Sequence, residues 1–339
     1  KKLIKSGEIN YLTLDYLAEV TMSIMQKQKL KDPKSGYAKD FVELIKKAKK
    51  DIIKNKVKII ANAGGVNPIE CSKEILKLFS NKEKIKIGII EGDDIFTNIS
   101  SLIKDGADFK NMDTGQKFDI IKDQVYSANV YIDSYTISKA LDMGADIVLA
   151  GRVTDPGLAL GPMIHEFGWK KNDYDLLASG TLAGHIIECG AQCTGGNYSD
   201  WENVPNLDDI GYPIINVEKN GKFSVTKMKN SGGLVNKQTI SEQILYEMGD
   251  PQNYISPDVK VDFTSFKITD NLNNSVSISG VKGSKPTNTY KVSISYFAGY
   301  KASGQLTISG PNAIKKAKLT ADIIWKRLKN AGFEYENTS

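Results

Sequence analysis

"DIVLAGRVTDPG", residues 146–157, decides the fold class. A short apolar run, Ile147–Ala150, stops at Gly151 and Arg152, and Asp155 followed by Pro156 then supplies a helix start. Strand, loop and helix thus succeed one another within a dozen residues, as in one half of a βαβ unit. The same order recurs upstream. "YLTLDYL" (11–17), "VKIIANA" (57–63) and "IKIGIIEG" (85–92) read as strands that end in small or polar residues. Residues 37–55, 67–81 and 134–145 carry apolar side chains three and four apart, as amphipathic helices over a sheet require. The first 205 residues are therefore expected to form an α/β domain: a parallel sheet with helices on both faces.

From about residue 210 the pattern becomes alternating. "GYPIINVEKNGKFSV" (211–225), "VKVDFTSFKI" (259–268), "SVSISGV" (275–281) and "YKVSISYFAGYKASGQLTI" (290–308) read as strands separated by turns, and 312–332 as a helix ending at Gly332. A second, smaller α+β domain over 206–339 is the expectation.

Composition narrows the function classes. A chain of 339 residues, 40% hydrophobic and 25% charged, can bury a sizeable core, and no uninterrupted apolar stretch approaches the ~20 residues of a membrane span. The net charge of +5 comes from scattered Lys, without the basic stripe of a nucleic-acid binder. Neither a membrane nor a nucleic-acid partner is expected. Cys71, Cys189 and Cys193 are an odd number in a long chain, which suits a reducing compartment, and the opening residues show no apolar signal-peptide core. An intracellular location is expected, with homo-oligomerisation as the base-rate assumption.

In an open parallel sheet, ligands bind beyond the carboxyl ends of the strands, so the polar residues there are the candidates. After the second strand come Asn62, Gly64, Gly65 and Asn67, which suit either an anion cradle or a tight turn with a capped helix. "EGDD" follows the third strand, and its Asp93 and Asp94 suit a divalent cation, a base or a helix cap. Ser127 and Asn129, in "SANVY", suit ligand hydrogen bonds or a turn. Arg152 is the sharpest candidate. Arginine occurs only at 152 and 327 in a Lys-rich chain, and its planar fork beside the helix start at Asp155 fits a carboxylate or phosphate; a structural ion pair with Asp93 is the competing reading.

A further candidate is a polar stripe. If 181–193 is helical, His185, Glu188 and Gln192 share one face of an otherwise apolar helix. Buried polar groups need partners, so the stripe is either an internal network or the wall of a ligand site where His185 and Glu188 move a proton. Thr194, Gly195 and Gly196 follow as a loop able to approach a ligand closely. His165, at the end of the preceding helix, reads as a cap.

Taken in order, "DYLAEVTMS", "IANAGGVNP", "EGDD", "SANVY", "GADIVLAGRVTDPGLALGPMIHEFGW", "LASGTLAGHIIECGAQCTGGNYSDW", "SGGLV" and "SGPNAIKKAKLTADI" resemble the acyclic terpene utilisation protein AtuA family over essentially the whole chain. The resemblance implies an AtuA-like core (1–205), a ferredoxin-like α+β domain (206–339), and a strand with a Gly-rich loop ahead of "DYLAE". It also implies a place in branched acyl-CoA catabolism, in the cytoplasm or the mitochondrial matrix. Two functions follow as expectations. One is a lyase or hydratase acting on a carboxylated acyl-CoA or related acid: Arg152 and the start of the helix at Asp155 hold a carboxylate, His185 and Glu188 move a proton, Asp93 or Asp94 assists or binds a divalent metal, and Asn62, Gly64, Gly65, Asn67, Asn129, Gln192, Thr194, Gly195 and Gly196 contact substrate. The other is a non-catalytic ligand-binding or scaffold subunit of an acyl-CoA carboxylase system.

Overall fold

The computed structural model describes residues 1–338. Its first half runs α1 (Lys2–Ser6), β1 (Tyr11–Leu14), α2 (Glu19–Lys31), α3 (Lys39–Asn55), β2 (Lys58–Ala61), α4 (Pro68–Leu76), β3 (Ile87–Ile90), α5 (Ile99–Lys104), β4 (Val125–Val130), α6 (Tyr135–Asp142), β5 (Ile147–Ala150), α7 (Gly157–Phe167) and α8 (Tyr174–Glu188). Four strands make a parallel sheet in the order β1-β2-β5-β3, with Ile59 of β2 and Ile87 of β3 both in register with Ile147.

Alternation along these strands shows how the sheet is buried. Ile59, Ala61, Ile147 and Leu149 pack into one cluster with Phe41, Ile45, Ala48 and Ile52 of α3 and Cys71 and Ile75 of α4. Ile60, Val148 and Ala150, one residue out of phase, pack into another with Ile137 and Leu141 of α6. A period of two in the strands and of three to four in the helices places helices on both faces, as the sequence pattern requires.

The second half carries β6 (Pro213–Val217), β7 (Phe223–Lys227), α9 (Lys237–Leu245), β8 (Tyr254–Ile255), β9 (Lys260–Asp262), β10 (Lys267–Asp270), β11 (Val276–Ser279), β12 (Lys282–Ser284), β13 (Val292–Tyr296) and α10 (Ala313–Asn330). The expected ferredoxin-like sheet is not seen among the described residues. Instead the strands divide among an antiparallel sheet β10-β11-β7-β6, a smaller one β12-β9-β8, and a pair in which β13 joins β4. "SANVY" is consequently sheet rather than turn. Leu160, Leu177, Leu182 and Ile186 of α7 and α8 share one core cluster with Phe223, Val225, Val261, Val276 and Ile278. By compactness the chain separates into Lys1–Phe297 and the remainder from Ala298. That remainder holds α10, which ends two residues before Gly332, whose left-handed conformation (φ 83°) favours glycine at a helix stop. Among the described residues no helix is long and apolar enough to cross a membrane.

Candidate active site

Three of the four parallel strands deliver polar residues from their carboxyl ends to one place. Asn62, fully buried after β2, donates from Nδ2 to Asp15 Oδ1 (2.5 Å) and accepts the Tyr16 amide at Oδ1 (2.6 Å), which fixes the turn after β1. Arg152, after β5, is only 2% exposed and donates from Nη1 to the Leu17 carbonyl of that same turn. The guanidinium lies 4.2 Å over the Tyr131 ring, and Nη1 is 2.8 Å from Asp155 Oδ1. A Lys ammonium has no planar fork to lie on the ring while bonding two acceptors, a physical reason for arginine here.

α8 completes the site because Gly184 lets it approach the start of α7. A Cβ on Gly184 would stand 2.4 Å from the Pro156 carbonyl oxygen, so only glycine permits this crossing beside Asp155. His185 and Glu188, next along the helix, are thereby carried to the Arg152–Asp155 pair. Tyr254 and Phe263 flank the imidazole, their ring centroids 5.7 and 5.5 Å away.

The hydrogen bonds of His185 determine its chemistry. Nε2 is 3.2 Å from the Ile244 carbonyl, which can only accept, so Nε2 carries a proton. Nδ1 is 3.0 Å from Glu188 Oε1. One further proton is therefore shared between imidazole and carboxylate, and neither ring nitrogen is free for a ligand. Burial opposes the charged imidazole, yet the bond to Glu188 and its charge prevail and raise the His185 pKa. Burial also drives the Glu188 carboxyl upward, with His185 pulling against it. Glu188 Oε2 and Arg152 Nε are buried without a hydrogen-bond partner, and Asp155 Oδ1 has only its ion pair with Arg152. Burial, and then the neighbouring Asp15 carboxyl, push Asp155 up to about 7 against the pull of Arg152.

Arg152, Asp155, His185 and Glu188 line one cavity of about 280 Å³, with Tyr131, Tyr254 and Lys291 also on its wall. The other sequence candidates stand elsewhere. Asp93 is a structural knot: its Oδ2 accepts the Asn129 amide and the Arg152 backbone N–H, both at 2.8 Å. It thus meets Arg152 through the main chain, not as the expected side-chain ion pair. Asp94 is exposed and accepts the Phe96 amide (3.1 Å) in a local turn, without capping the 3-10 turn that follows. Gly64 and Gly65 close the β2–α4 turn through backbone bonds, and Asn67 donates to the carbonyls of Pro33 and Ser35 instead of capping α4. Gln192 leaves the stripe because α8 ends at Glu188 and a 3-10 turn, Gly190–Thr194, follows. Thr194 bonds the Gly211 carbonyl (2.6 Å), and Gly195 and Gly196 belong to that packed turn. His165 pairs with Asp142 (2.5 Å). Among the described residues no group of three or more His, Cys, Asp or Glu side chains is arranged to hold a metal ion.

Asp15, Tyr131, Tyr254 and Lys291 were not singled out in the sequence. Asp15 obeys the same strand-end rule that marks Arg152, being the first residue after β1. No local pattern points to Tyr254 or Lys291, which arrive from distant segments.

Comparison with curated proteins and with solved structures finds no match. The family described as acyclic terpene utilisation family protein AtuA matches residues 1–339. The chain belongs to the acyclic terpene utilisation (AtuA) family.

Proposed function

We propose that this member of the acyclic terpene utilisation family is a lyase or hydratase that moves protons on a branched or carboxylated acyl thioester or a related acid. The observation that carries the reading is the joint placement of Asp155 and Glu188 on one cavity, Glu188 with a buried carboxyl oxygen lacking a partner and Asp155 held only by its ion pair with Arg152. Carboxyls raised toward neutrality exchange protons at working pH without a large energetic gap in either direction, as general acid–base chemistry requires.

In the hydration direction, Glu188 takes a proton from water as its oxygen attacks the β-carbon of an unsaturated acyl group. Protonated Asp155 delivers a proton to the α-carbon, and Arg152 Nε donates to the oxygen on which charge develops. Elimination of water is the same path reversed. With both its nitrogens engaged, His185 acts as a positioning residue that sets the proton affinity of Glu188. A cavity of about 280 Å³ accommodates an acyl head, and any large carrier attached to it must extend outside.

The test is incubation with branched α,β-unsaturated acyl thioesters in deuterated water, followed by mass spectrometry. Gain of water or of α-deuterium, lost in Glu188→Gln and Asp155→Asn, supports the reading. Equal incorporation with wild type and both variants, or none with any acyl thioester, refutes it. A ligand-binding or scaffold subunit is the second reading, favoured by the internal satisfaction of His185 and of Arg152 Nη1. It requires saturable thioester binding with no exchange.

A further inference from the structure

One polar group on the cavity wall is idle in the chemistry proposed above. Tyr254 lies on β8, in the second half of the chain, far in sequence from Arg152 and Glu188. Its ring is held from two sides. It stacks on Phe263, with centroids 4.9 Å apart and planes 12° apart, and lies against the His185 imidazole at 5.7 Å. A phenylalanine would fill that slot equally well, so packing does not explain the hydroxyl. The fold does not bond it either: the Tyr254 hydroxyl has no hydrogen-bond partner among the described residues. Burial, and then the charges of Glu188, Asp155 and Glu247, drive its pKa far above the usual tyrosine value. The group therefore stays O–H at any working pH, and its proton needs an acceptor.

Glu188 has the opposite need. Its Oε1 shares a proton with His185 Nδ1 at 3.0 Å, and its Oε2 is buried without a partner. With the shared proton on the other oxygen, Oε2 only accepts. The two groups are neighbours, because the Tyr254 ring lies against the imidazole that Glu188 binds, and Glu188 is the charge that acts most strongly on Tyr254.

A ligand atom that serves both must accept from the tyrosine and donate to the carboxylate. A hydroxyl does so. An ether or carbonyl oxygen donates nothing, an ammonium accepts nothing, and an alkene carbon does neither. Arg152 Nε, also buried and unpartnered, can only donate, which suits a carbonyl oxygen. We propose that the cavity is built for an acyl group bearing a hydroxyl, with Tyr254 donating to the hydroxyl oxygen, Glu188 Oε2 accepting the hydroxyl proton and Arg152 Nε donating to the acyl carbonyl. The proposal rests on the reading of the cavity as an acyl site and adds its preferred ligand: the hydroxylated acyl compound is held more tightly than the unsaturated one, and Tyr254 determines that preference. An unsaturated acyl group leaves the tyrosine proton and Oε2 to water.

The test is calorimetric titration of the full chain with three N-acetylcysteamine thioesters: α,α-dimethyl-β-hydroxybutanoyl, its β-methoxy ether and α,α-dimethylbutanoyl. None has an α-hydrogen, so none can eliminate and binding is read alone. The β-hydroxy compound should bind about a hundredfold more tightly than the ether. Tyr254→Phe keeps both ring contacts; it should weaken binding of the β-hydroxy compound about tenfold and leave that of the unsubstituted one unchanged. Equal binding of all three thioesters, binding of none, or an equal loss for the hydroxylated and unsubstituted compounds in Tyr254→Phe overturns the proposal. Preference for the hydroxyl without deuterium exchange in unsaturated thioesters removes the hydration chemistry and keeps this assignment. Exchange by a protein indifferent to the hydroxyl does the reverse.

Discussion

Asp93 and Asp155 stand at neighbouring strand ends of the same sheet, the first buried and the second half-buried, both within reach of Arg152, and they do opposite things. Asp93 receives two donors on one oxygen, the Asn129 amide and the Arg152 backbone, and none of its atoms is stranded. Asp155 pairs through Oδ1 with the guanidinium of the same arginine alone, receives no amide donor, and carries a pKa pushed to about 7. A satisfied buried carboxylate organises structure, whereas an unsatisfied one beside a cavity retains the capacity to act on something else. The arginine serves both, with its main chain turned to Asp93 and its side chain to Asp155.

The largest effect that tests this contrast belongs to the cavity side. Glu188→Gln keeps the volume and removes the titrating oxygen, so turnover of an accepted acyl thioester should fall about a thousandfold while the urea midpoint changes little. If unfolding accompanies the loss, Glu188 belongs with Asp93 among the structural acids. On the Asp93 side the expectation inverts. Asp93→Ala leaves the Asn129 amide and the Arg152 N–H without their acceptor, and should cost about 3 kcal/mol of stability in urea titration. Gly151→Ala probes the same knot from the backbone, because a Cβ there would stand 2.3 Å from Asp93 Oδ1. It should cost about 2 kcal/mol as an overpacking change.

Much of the contrast was readable before any coordinates. The strand-end rule located Arg152, Asp155 and Asn62, and a polar stripe on an apolar helix located His185 and Glu188. What one chain segment cannot reveal is which acid will be satisfied, because the satisfying group comes from elsewhere. Asn129 reaches Asp93 from β4, a strand held by β13 more than a hundred and fifty residues later, whereas "SANVY" by itself reads as a ligand contact or a turn. Gln192 was misplaced for a local reason: Gly190 takes a left-handed conformation (φ 58°) just after α8, and the helical periodicity ends there. Alternation likewise marked strands in the second half but not their partners, since register across sheets depends on contacts that periodicity does not encode.

Titration bears on both acids in the same direction, because burial raises the Asp93 carboxyl as well. The folded pKa of Asp155, about 7, lies above its ordinary value of 3.8, so the native state holds a proton there that the unfolded chain has lost. Stability from that proton is full below about pH 4 and disappears as pH rises through about 7. Asp258, sealed against Ser134 and pushed by burial to about 7, acts in the same direction. Urea midpoints measured at about pH 5 and about pH 8 should therefore fall with pH, and Asp155→Asn should flatten that fall while Asp94→Asn should not. Turnover that depends on a protonated Asp155 should decline above about pH 7. A rate profile flat through that range assigns the acid role to another group.

The smallest expected effect is the control that makes the others interpretable. Asp94 adjoins Asp93 in sequence, yet it is exposed and holds only the Phe96 amide at the start of a short 3-10 turn. Asparagine accepts that bond nearly as well, so Asp94→Asn should change stability by less than about 0.5 kcal/mol and leave turnover intact. A substantial loss of activity would mean that exposed carboxylates at this sheet end also reach the ligand. Partner satisfaction would then no longer distinguish acids that build the fold from acids that work in it.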